Sequence, residues 1–505
     1  MKTLALLLAL GTTVGASAAE PLLPLPDAPV VLVSADPAAL DRALTGGLRK
    51  ALSGKAAAGD PVMKGLRQTR VGLKLDEQWA LFAADLPLTW SEITAMKPTA
   101  LGLALLSAGD LEAVLAVRTP LARLPITLPA GEARSRGGVA YAVVSRGAGD
   151  ERTLDRRLGL AWARVEGTLL VATSERALLL ALDRAGAKQG YSAFLPGLLS
   201  ARLDLAALRT DRYFRREFLF SEGLEGTEGG VLLCALREEN GRLVEIREGA
   251  APRGPAAPRW GTDGRHVAAA GWETSGRRLP SALRRGLLEP VPSPAARPGL
   301  ALKPLPDPNA AQGERYLVDL TKAVPASGEG DAAELPRWTS FLAALDLQGW
   351  GWEVGSDGSR RLLLKVPPAK EGELVALAKA TLTRRAGAVT PAASSLDVGP
   401  ALPGLAWARR GDWLWLAASE SALAGVPAPA PDPDLVRWSR LDLDAVRAEK
   451  GPWNDAEGAV FEGRVRPFSD RILGLLGWAP KTNAVAVERR QEGDRFRERV
   501  VFASR

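Results

Sequence analysis

Two stretches of this chain, one in each half, repeat the same ordered pattern of residues. Residues 160–164 and 405–409 both read Leu-Ala-Trp-Ala-Arg, and the same Leu, Ala, Ser-Glu and Ala-Leu follow each at matching positions. A second echo comes later in each half, at 202–205 and 440–443, where both read Arg-Leu-Asp-Leu. An ordered double echo of this kind is the sequence signature of a duplicated structural unit. The chain is therefore expected to contain two copies of one module.

Strand signals outnumber helix signals, and the two kinds alternate along the chain. This pattern predicts an α+β fold of two tandem homologous modules, each a largely antiparallel sheet with helices packed on one face. The first module is assigned to 27–249 and the second to 264–505. Between them, 250–263 are rich in Pro and Gly and are predicted to form a linker.

The repeated residues have a structural interpretation. Trp162 and Trp407 fall on the outgoing strand of a hairpin, where an indole can cover the helix that follows. Ser174 and Ser419 stand where a hydroxyl caps the first turn of a helix, which contributes about 1 kcal/mol. Both copies are thus predicted to continue into a Ser-capped helix. The alternative is a duplicated ligand site formed by charged residues of the same segments, Arg164, Glu175, Arg409 and Glu420.

A hairpin followed by a Ser-capped Ala/Leu helix resembles a family of secreted bacterial proteins of unknown function, which carry such a repeated unit late in each module. The resemblance covers only a short segment of each copy, and the residues that carry it are mainly packing residues. It implies a location in the cell envelope, and it implies no activity.

Residues 1–18 have the features of a secretory signal peptide. A basic start precedes the apolar run Leu4–Val14, and Ala16-Ser17-Ala18 forms a small-residue cleavage site. The apolar run is short for a hydrocarbon core of about 30 Å, and no later stretch reaches about 18 uninterrupted apolar residues. We therefore expect a soluble mature protein, periplasmic or secreted, with no membrane span after the signal peptide is removed.

The composition excludes several kinds of site. One Cys and one His are too few for a metal site built from these ligands, and a nucleophilic triad would need His266 without any G-x-S-x-G motif. Cys234 lies in an apolar run and is expected to be a buried thiol on a strand. The net charge of +7 is spread among mixed acids and bases without a nucleic-acid motif. We expect no metal, no cofactor and no nucleic-acid partner.

Carboxylates are plentiful enough for a glycosidase-like pair. Asp432 and Asp434 lie between prolines, and Asp442 and Asp444 lie in the second echo, whereas the first echo has Asp204 alone. A carboxylate-dependent hydrolase of envelope polymers is therefore an alternative function. A solvated loop and a strand-end cap are the structural interpretation of the same residues.

Tryptophans are distributed unevenly. Of the fourteen, nine lie between Trp338 and Trp478. Residues two apart on a strand share a face of the sheet, so two indole pairs are candidates for one aromatic binding face, and otherwise fill a core. The candidate residues are Trp350, Trp352, Trp413 and Trp415.

Taken together, these patterns predict a non-enzymatic envelope protein that acts by binding or scaffolding, with an envelope protein or polymer as its partner. The hydrolase is the first alternative, and a purely structural surface component is the second. The four tryptophans are the candidate binding residues, and no catalytic residue is assigned.

Overall fold

The computed structural model describes residues 22–43, 88, 90–107, 112–144, 160–210, 230–240, 242–250, 254–261, 267–274, 329–345, 347, 349–355, 359–399, 404–442 and 482–504. Residues 1–18, which are predicted to be a signal peptide, and His266 lie outside these ranges. The chain divides into two compact units. Among the described residues, the first unit holds those up to 210 together with 231–238, and the second holds those from 239 onwards.

The sheet of the first unit contains nine described strands, all paired antiparallel. In chain order they are β1 (Val30–Ser34), β2 (Ala100–Ser107), β3 (Glu112–Arg118), β4 (Glu132–Arg136), β5 (Val139–Val144), β6 (Leu160–Val165), β7 (Thr168–Ala172), β8 (Leu199–Asp204) and β9 (Val231–Glu239). Their order across the sheet is β4-β5-β6-β7-β3-β2-β1-β8-β9. The described helices are α1 (Pro37–Ala43), α2 (Trp90–Ala95), α3 (Glu175–Gly186) and α4 (Leu205–Thr210).

The second unit is also built on antiparallel strands. They are β10 (Arg242–Ala250), β11 (Ala257–Arg259), β12 (Val267–Thr274), β13 (Gly349–Gly355), β14 (Arg360–Lys365), β15 (Thr390–Pro391), β16 (Ser395–Asp397), β17 (Leu405–Arg410), β18 (Trp413–Ala417), β19 (Ala430–Asp432), β20 (Leu435–Asp442), β21 (Thr482–Glu492) and β22 (Arg495–Ser504). The order across the sheet is β15-β16-β17-β18-β14-β13-β12-β20-β21-β22-β10, while β11 pairs with β19. Helices α5 (Glu329–Ala344) and α6 (Pro368–Ala386) and a 3-10 helix (Ser421–Leu423) complete the described elements. The prediction of largely antiparallel sheet is confirmed, and strands far outnumber helices.

The repeated hairpin has the same register in both units. Trp162 on β6 stands opposite Val171 on β7, and Trp407 on β17 stands opposite Leu416 on β18. Each turn contains a glycine in the left-handed region, Gly167 with φ of 77° and its counterpart Gly411 with φ of 62°, where a side chain would be strained. The predicted hairpin is therefore present in both units.

Helices of the first unit lie on both faces of its sheet, which corrects the expectation that they share one face. Alternate residues of a strand point to opposite faces. Val114 packs in a cluster with Leu178 of α3, whereas its neighbour Leu115 packs with Ile93 of α2. The helix α3 is built as predicted, since the Ser174 hydroxyl accepts from the backbone N–H of Ala177 at 3.0 Å.

The sequence predicts that Trp162 covers α3. The structure instead places Trp162 on the opposite face of the sheet. It packs in the cluster that contains Leu115, and its indole N–H donates to the carbonyl of Pro129 at 3.1 Å. The physical reason is the strand period of two. The residues of β6 that reach α3 are the neighbours Ala161 and Ala163, whose small side chains let the helix approach.

The second unit covers its two faces unequally. One face carries Leu362 and Leu364, which pack against Trp338 of α5 and Leu374 of α6. The other face carries Leu363, and in this cluster the 3-10 helix and the loop after it supply Leu423 and Val426, among others.

The helix predicted after the second hairpin is wrong in length. In the first unit α3 runs for 12 residues, but in the second only a 3-10 helix of 3 residues follows the hairpin. The sequence after Leu423 accounts for the difference. Gly425 adopts φ of 66°, and Pro427 follows two residues later, so no second helical turn can form.

The described part of the predicted linker 250–263 includes a strand of the second unit. Its residues 257–259 form β11, which pairs with β19, and Ala257 is buried. Trp260, directly after β11, packs against Trp415 and Trp438 of the same unit. Among the described helices the longest is α6 with 19 residues, and none combines the length and hydropathy needed to cross a bilayer.

Candidate functional site

The four candidate tryptophans do not share one face of the sheet. Trp350 pairs with Leu364, whereas Trp413 and Trp415 pair across from Lys365 and Leu363, the residues on either side of Leu364. Since alternate residues point to opposite faces, the pair on β13 and the pair on β18 lie back to back. The prediction of a single aromatic face made of both pairs is therefore wrong.

Three of the four indoles are core residues. Trp350 and Trp352 are 8% and 5% exposed and pack with the residues of α5 and α6. Trp415 is 0% exposed, and its indole N–H donates to the carbonyl of Pro427 at 3.0 Å. Only Trp413 of this set is partly exposed.

Trp413 and Trp415 belong to a larger aromatic cluster that the sequence pattern did not reveal. Trp260 packs edge-on against Trp415 and Trp438, with ring centroids 5.4 Å and 4.7 Å apart, and Trp272 packs edge-on against Trp413 at 5.5 Å. Their sequence positions are far apart, so no spacing rule connects them. We call these five residues the tryptophan cluster.

A glycine on β13 makes room for the tryptophan cluster. A Cβ at Gly351 would stand 2.6 Å from the ring of Trp260 and 3.0 Å from Cβ of Leu363, both closer than packed atoms approach. A residue without a side chain lets the ring of Trp260 approach the strand closely. The pattern Gly-Trp-Gly-Trp at the start of β13 is the one sequence signal that could have indicated this arrangement.

A buried ion pair lies beneath the cluster. Arg361 Nη1 donates to Glu353 Oε1 at 3.0 Å, and the indole N–H of Trp260 donates to the other carboxylate oxygen at 3.1 Å. Arg361 also donates to the carbonyl of Ala422 beside the 3-10 helix. Both charged side chains are buried, so their hydrogen bonds offset the large cost of removing them from water. The arrangement ties the cluster to the short helix.

The partly exposed member of the tryptophan cluster, Trp413, lies beside a cationic side chain. Lys365 is exposed and lies directly across the ladder from Trp413, with Nζ 6.0 Å from the ring centroid. Trp272, which packs edge-on against Trp413, is 3% exposed. Its indole N–H has no hydrogen-bond partner among the described residues. A partly exposed ring beside an ammonium group can take the face of a sugar ring together with an anionic group.

The corresponding pair in the first unit is different. There Thr168 stands across from Arg118, whose Nε donates to the threonine hydroxyl at 3.3 Å. Thr168 is buried. In the first unit this position forms an internal hydrogen bond, and in the second it holds a half-buried indole beside the exposed side chain of Lys365.

The charged residues considered for a duplicated ligand site have separate structural roles. Arg164 donates to the carbonyls of Leu121 and Ala122, and Arg409 donates to the carbonyl of Val366 at 2.9 Å. Each arginine therefore holds the segment that leaves β3 or β14. Neither contacts the glutamate of its own repeat.

Glu175 instead joins a surface network with β4 and β5. It accepts from Arg134 at 2.6 Å and from the Tyr141 hydroxyl at 2.7 Å, and Arg134 also binds Glu132 at 2.7 Å. The hydrogen bonds from Arg134 and Tyr141 hold the pKa of Glu175 below its ordinary value. The bond to Glu175 and burial raise the pKa of Tyr141. In the second unit Glu420 accepts from the Ser394 hydroxyl at 2.9 Å.

Asp432 and Asp204, two of the candidate carboxylates, have structural partners. Asp432 accepts from both Arg259 and Arg490 at 3.2 Å. Burial alone would raise the pKa of Asp432, but the hydrogen bonds from Arg490 and Arg259 together lower it. Asp204 caps α4 through the backbone N–H of Ala207 at 3.0 Å, and Asp444 lies outside the described residues.

Cys234 is fully buried on β9, as predicted. Within the described residues, no three side chains of His, Cys, Asp or Glu are grouped as a metal ion would require.

Comparison with known proteins does not assign the chain to a family. No family model matches the chain, and no curated protein matches it. A solved structure described as crystal form I of TP0453 is similar over 47% of this chain and 81% of that chain, with 10% sequence identity and a TM-score of 0.24. A likeness of this degree carries neither fold nor function to this chain.

Proposed function

We propose that the chain is an exported, non-enzymatic envelope protein, periplasmic or secreted, built from two copies of one module and acting by binding or scaffolding. The duplication is supported by strand order and register. Strands β4 to β7, β3, β2, β1, β8 and β9 follow one another across the first sheet as β15 to β18, β14, β13, β12, β20 and β21 do across the second. The second echo fits the same frame, since Arg202 stands opposite Val31 of β1 and Arg440 opposite Ala270 of β12.

Export is supported by residues 1–18 alone, and fractionation of the source cells tests it. The expected result is a soluble protein in the periplasm or medium whose N-terminus begins at Ala19. An intact N-terminus in the inner membrane would contradict it.

The binding role rests on one observation, the half-buried indole of Trp413 beside the exposed ammonium of Lys365. We assign the contact to an envelope polymer that offers a sugar face to the indole and a carboxylate or phosphate to the lysine. An aromatic ring with few rotatable bonds loses little entropy on contact, and a surface ammonium adds attraction that weakens with salt.

Four of the described carboxylates are unsuited to the general-acid role that the alternative hydrolase would need. A glycosidase needs one carboxyl group with a raised pKa to act as the general acid. Arginine neighbours instead lower the pKa of several carboxyl groups that the structure describes, namely Glu132, Glu175, Asp183 and Asp432. These groups stay ionised at neutral pH and are held in ion pairs.

Co-sedimentation with purified peptidoglycan sacculi tests the proposed contact. Trp413→Thr introduces the residue of the first unit, and Lys365→Gln removes the charge. Both variants should stay folded and lose most of the bound fraction. Lys365→Gln should keep the melting temperature, and Trp413→Thr should lower it because the edge-on contact with Trp272 is removed. Lys379→Gln, an exposed lysine on α6, is the matched control and should bind normally. Equal binding by all three variants, or no binding by the unaltered protein, would refute this contact.

A further inference from the structure

The strand β4 forms an open edge of the first unit's sheet. All five of its residues are exposed, as are 131 and the turn residues Gly137 and Gly138. Within the described residues β4 pairs only with β5. An edge strand of this kind presents unpaired N–H and C=O groups to any strand that can approach.

The hairpin turn defines which residues face the open edge. Gly137 and Gly138 have φ of 56° and 81°, as a two-residue type I′ turn requires. Such a turn closes on a hydrogen-bonded pair, here Arg136 and Val139. Alternation along the strand then directs the N–H and C=O groups of Ala133 and Ser135 outwards.

The charged side chains that would normally guard such an edge are drawn away from it. Arg136 binds Asp183 of α3 at 3.0 Å, and Arg134 binds Glu175 of α3 at 2.6 Å. The helix itself packs over β3, β6 and β7, and so it does not cover β4. The corresponding edge strand of the second unit, β15, consists of Thr390–Pro391, and its proline has no N–H to offer.

We propose that β4 pairs antiparallel with β4 of a second copy of this chain, centred on Arg134. In this register Ala133 of one copy exchanges both backbone hydrogen bonds with Ser135 of the other, which uses the outward groups of both residues. Glu132 of each copy then stands opposite Arg136 of the other, which keeps its bond to Asp183, so no like charges face each other at the two ends. The two Arg134 side chains meet at the centre, where each is neutralised by its own Glu132 and Glu175.

Sedimentation velocity of the purified protein over a range of concentrations tests the pairing. Because the ladder is short, the expected result is a reversible dimer whose fraction rises with concentration. Ser135→Pro removes an outward N–H but no bond to β5, and should leave only monomer. Ser135→Val keeps the N–H and is the matched control. A protein that stays monomeric throughout, or a dimer that persists in Ser135→Pro, would overturn the proposal.

Cysteine cross-linking tests the register, even if the proline variant fails to fold. Opposite residues of a non-hydrogen-bonded pair have Cα atoms about 4.5 Å apart, which a disulfide can bridge. Arg134→Cys should therefore form a disulfide-linked dimer on mild oxidation, whereas Arg136→Cys should not. The native thiol of Cys234 is buried and should not contribute. Cross-linking of neither variant, or of Arg136→Cys alone, would exclude this pairing.

Discussion

The two units cover one corresponding face of their sheets in different ways. In the first unit, α3 lies over this face, and the strand residues beneath it are small or medium in size, such as Val114 and Ala116. In the second unit the helix is reduced to three residues, and the corresponding positions hold Arg361 and Leu363. Side chains from the strands and from Trp260 fill the space that a helix fills in the first unit.

This difference teaches that a strand frame can be kept while the means of covering it changes. A face without a long helix leaves apolar surface uncovered, and large side chains that stand on the strands can cover it. Indoles suit this purpose because each buries a large area, and their N–H groups find partners, as those of Trp260 and Trp415 do. The cost is a face with half-exposed aromatic residues at its end, such as Trp413.

The largest expected effect comes from breaking the buried ion pair between Glu353 and Arg361 of the second unit. Glu353→Ala should lower the free energy of unfolding by about 3–5 kcal/mol, because it leaves Arg361 buried without its carboxylate. The double variant Glu353→Ala with Arg361→Val introduces the corresponding residues of the first unit, Ala104 and Val114. It should recover much of the loss. Chemical denaturation followed by tryptophan fluorescence measures both, and equal losses would show that the pair is not coupled.

The next largest expected effect is a difference in stability between alanine substitutions at two glycines in corresponding strand positions. Gly351→Ala should cost about 1–3 kcal/mol, because its Cβ would stand 2.6 Å from the ring of Trp260, which is held by neighbouring indoles. Gly102→Ala in the first unit would place its Cβ 2.6 Å and 2.8 Å from terminal methyls of Leu25 and Leu23, the far ends of flexible side chains, which shift at lower cost than a packed indole. Thermal unfolding of the two variants should therefore rank Gly351→Ala as the more destabilised. The reverse order would mean that the tryptophan cluster can rearrange freely.

Local sequence rules predicted the elements that depend on neighbouring residues. The two hairpins, the Ser174 cap and the buried Cys234 all follow from short-range pattern and turn chemistry. Even there a local break was missed, since Gly425 and Pro427 end the second helix after three residues.

The candidate site depended on long-range packing, which spacing alone does not determine. Residues two apart share a face, so each indole pair was correctly grouped, but nothing local tells which elements cover that face. Helices α5 and α6 bury Trp350 and Trp352, and Trp260 reaches Trp415 from a segment that was assigned to a linker. Trp413, the one partly exposed residue of the four candidates, can be recognised only when the side chains around it are known.

A smaller expected effect is the difference in stability between alanine substitutions at the two repeated serines. Ser174→Ala should cost about 1 kcal/mol, since its hydroxyl caps a 12-residue helix at 3.0 Å and also donates to Glu112 at 2.7 Å. Ser419→Ala should cost only a few tenths, because its contact to the N–H of Ala422 is 3.4 Å and serves a single 3-10 turn. Denaturant midpoints of the two variants give the comparison. Equal costs would imply that the two caps do the same work despite the lost helix.

The smallest effect is a pH dependence that belongs to the first unit. Arg134 and Tyr141 bind the carboxylate of Glu175 and lower its pKa, so this group stabilises the folded state above its ordinary pKa of 4.5. The contribution is lost as the pH falls from 4.5 through the lowered folded-state value, because protonation removes the charge that Arg134 binds. The site is at the surface, where solvent screens the interaction, so the change should be modest. Glu175→Gln should flatten the fall in melting temperature between neutral and acidic pH, and raised salt should reduce the difference. Glu420→Gln, at the corresponding position of the second unit, is the control. If both variants changed the acid limb equally, the network around Arg134 would not be its source.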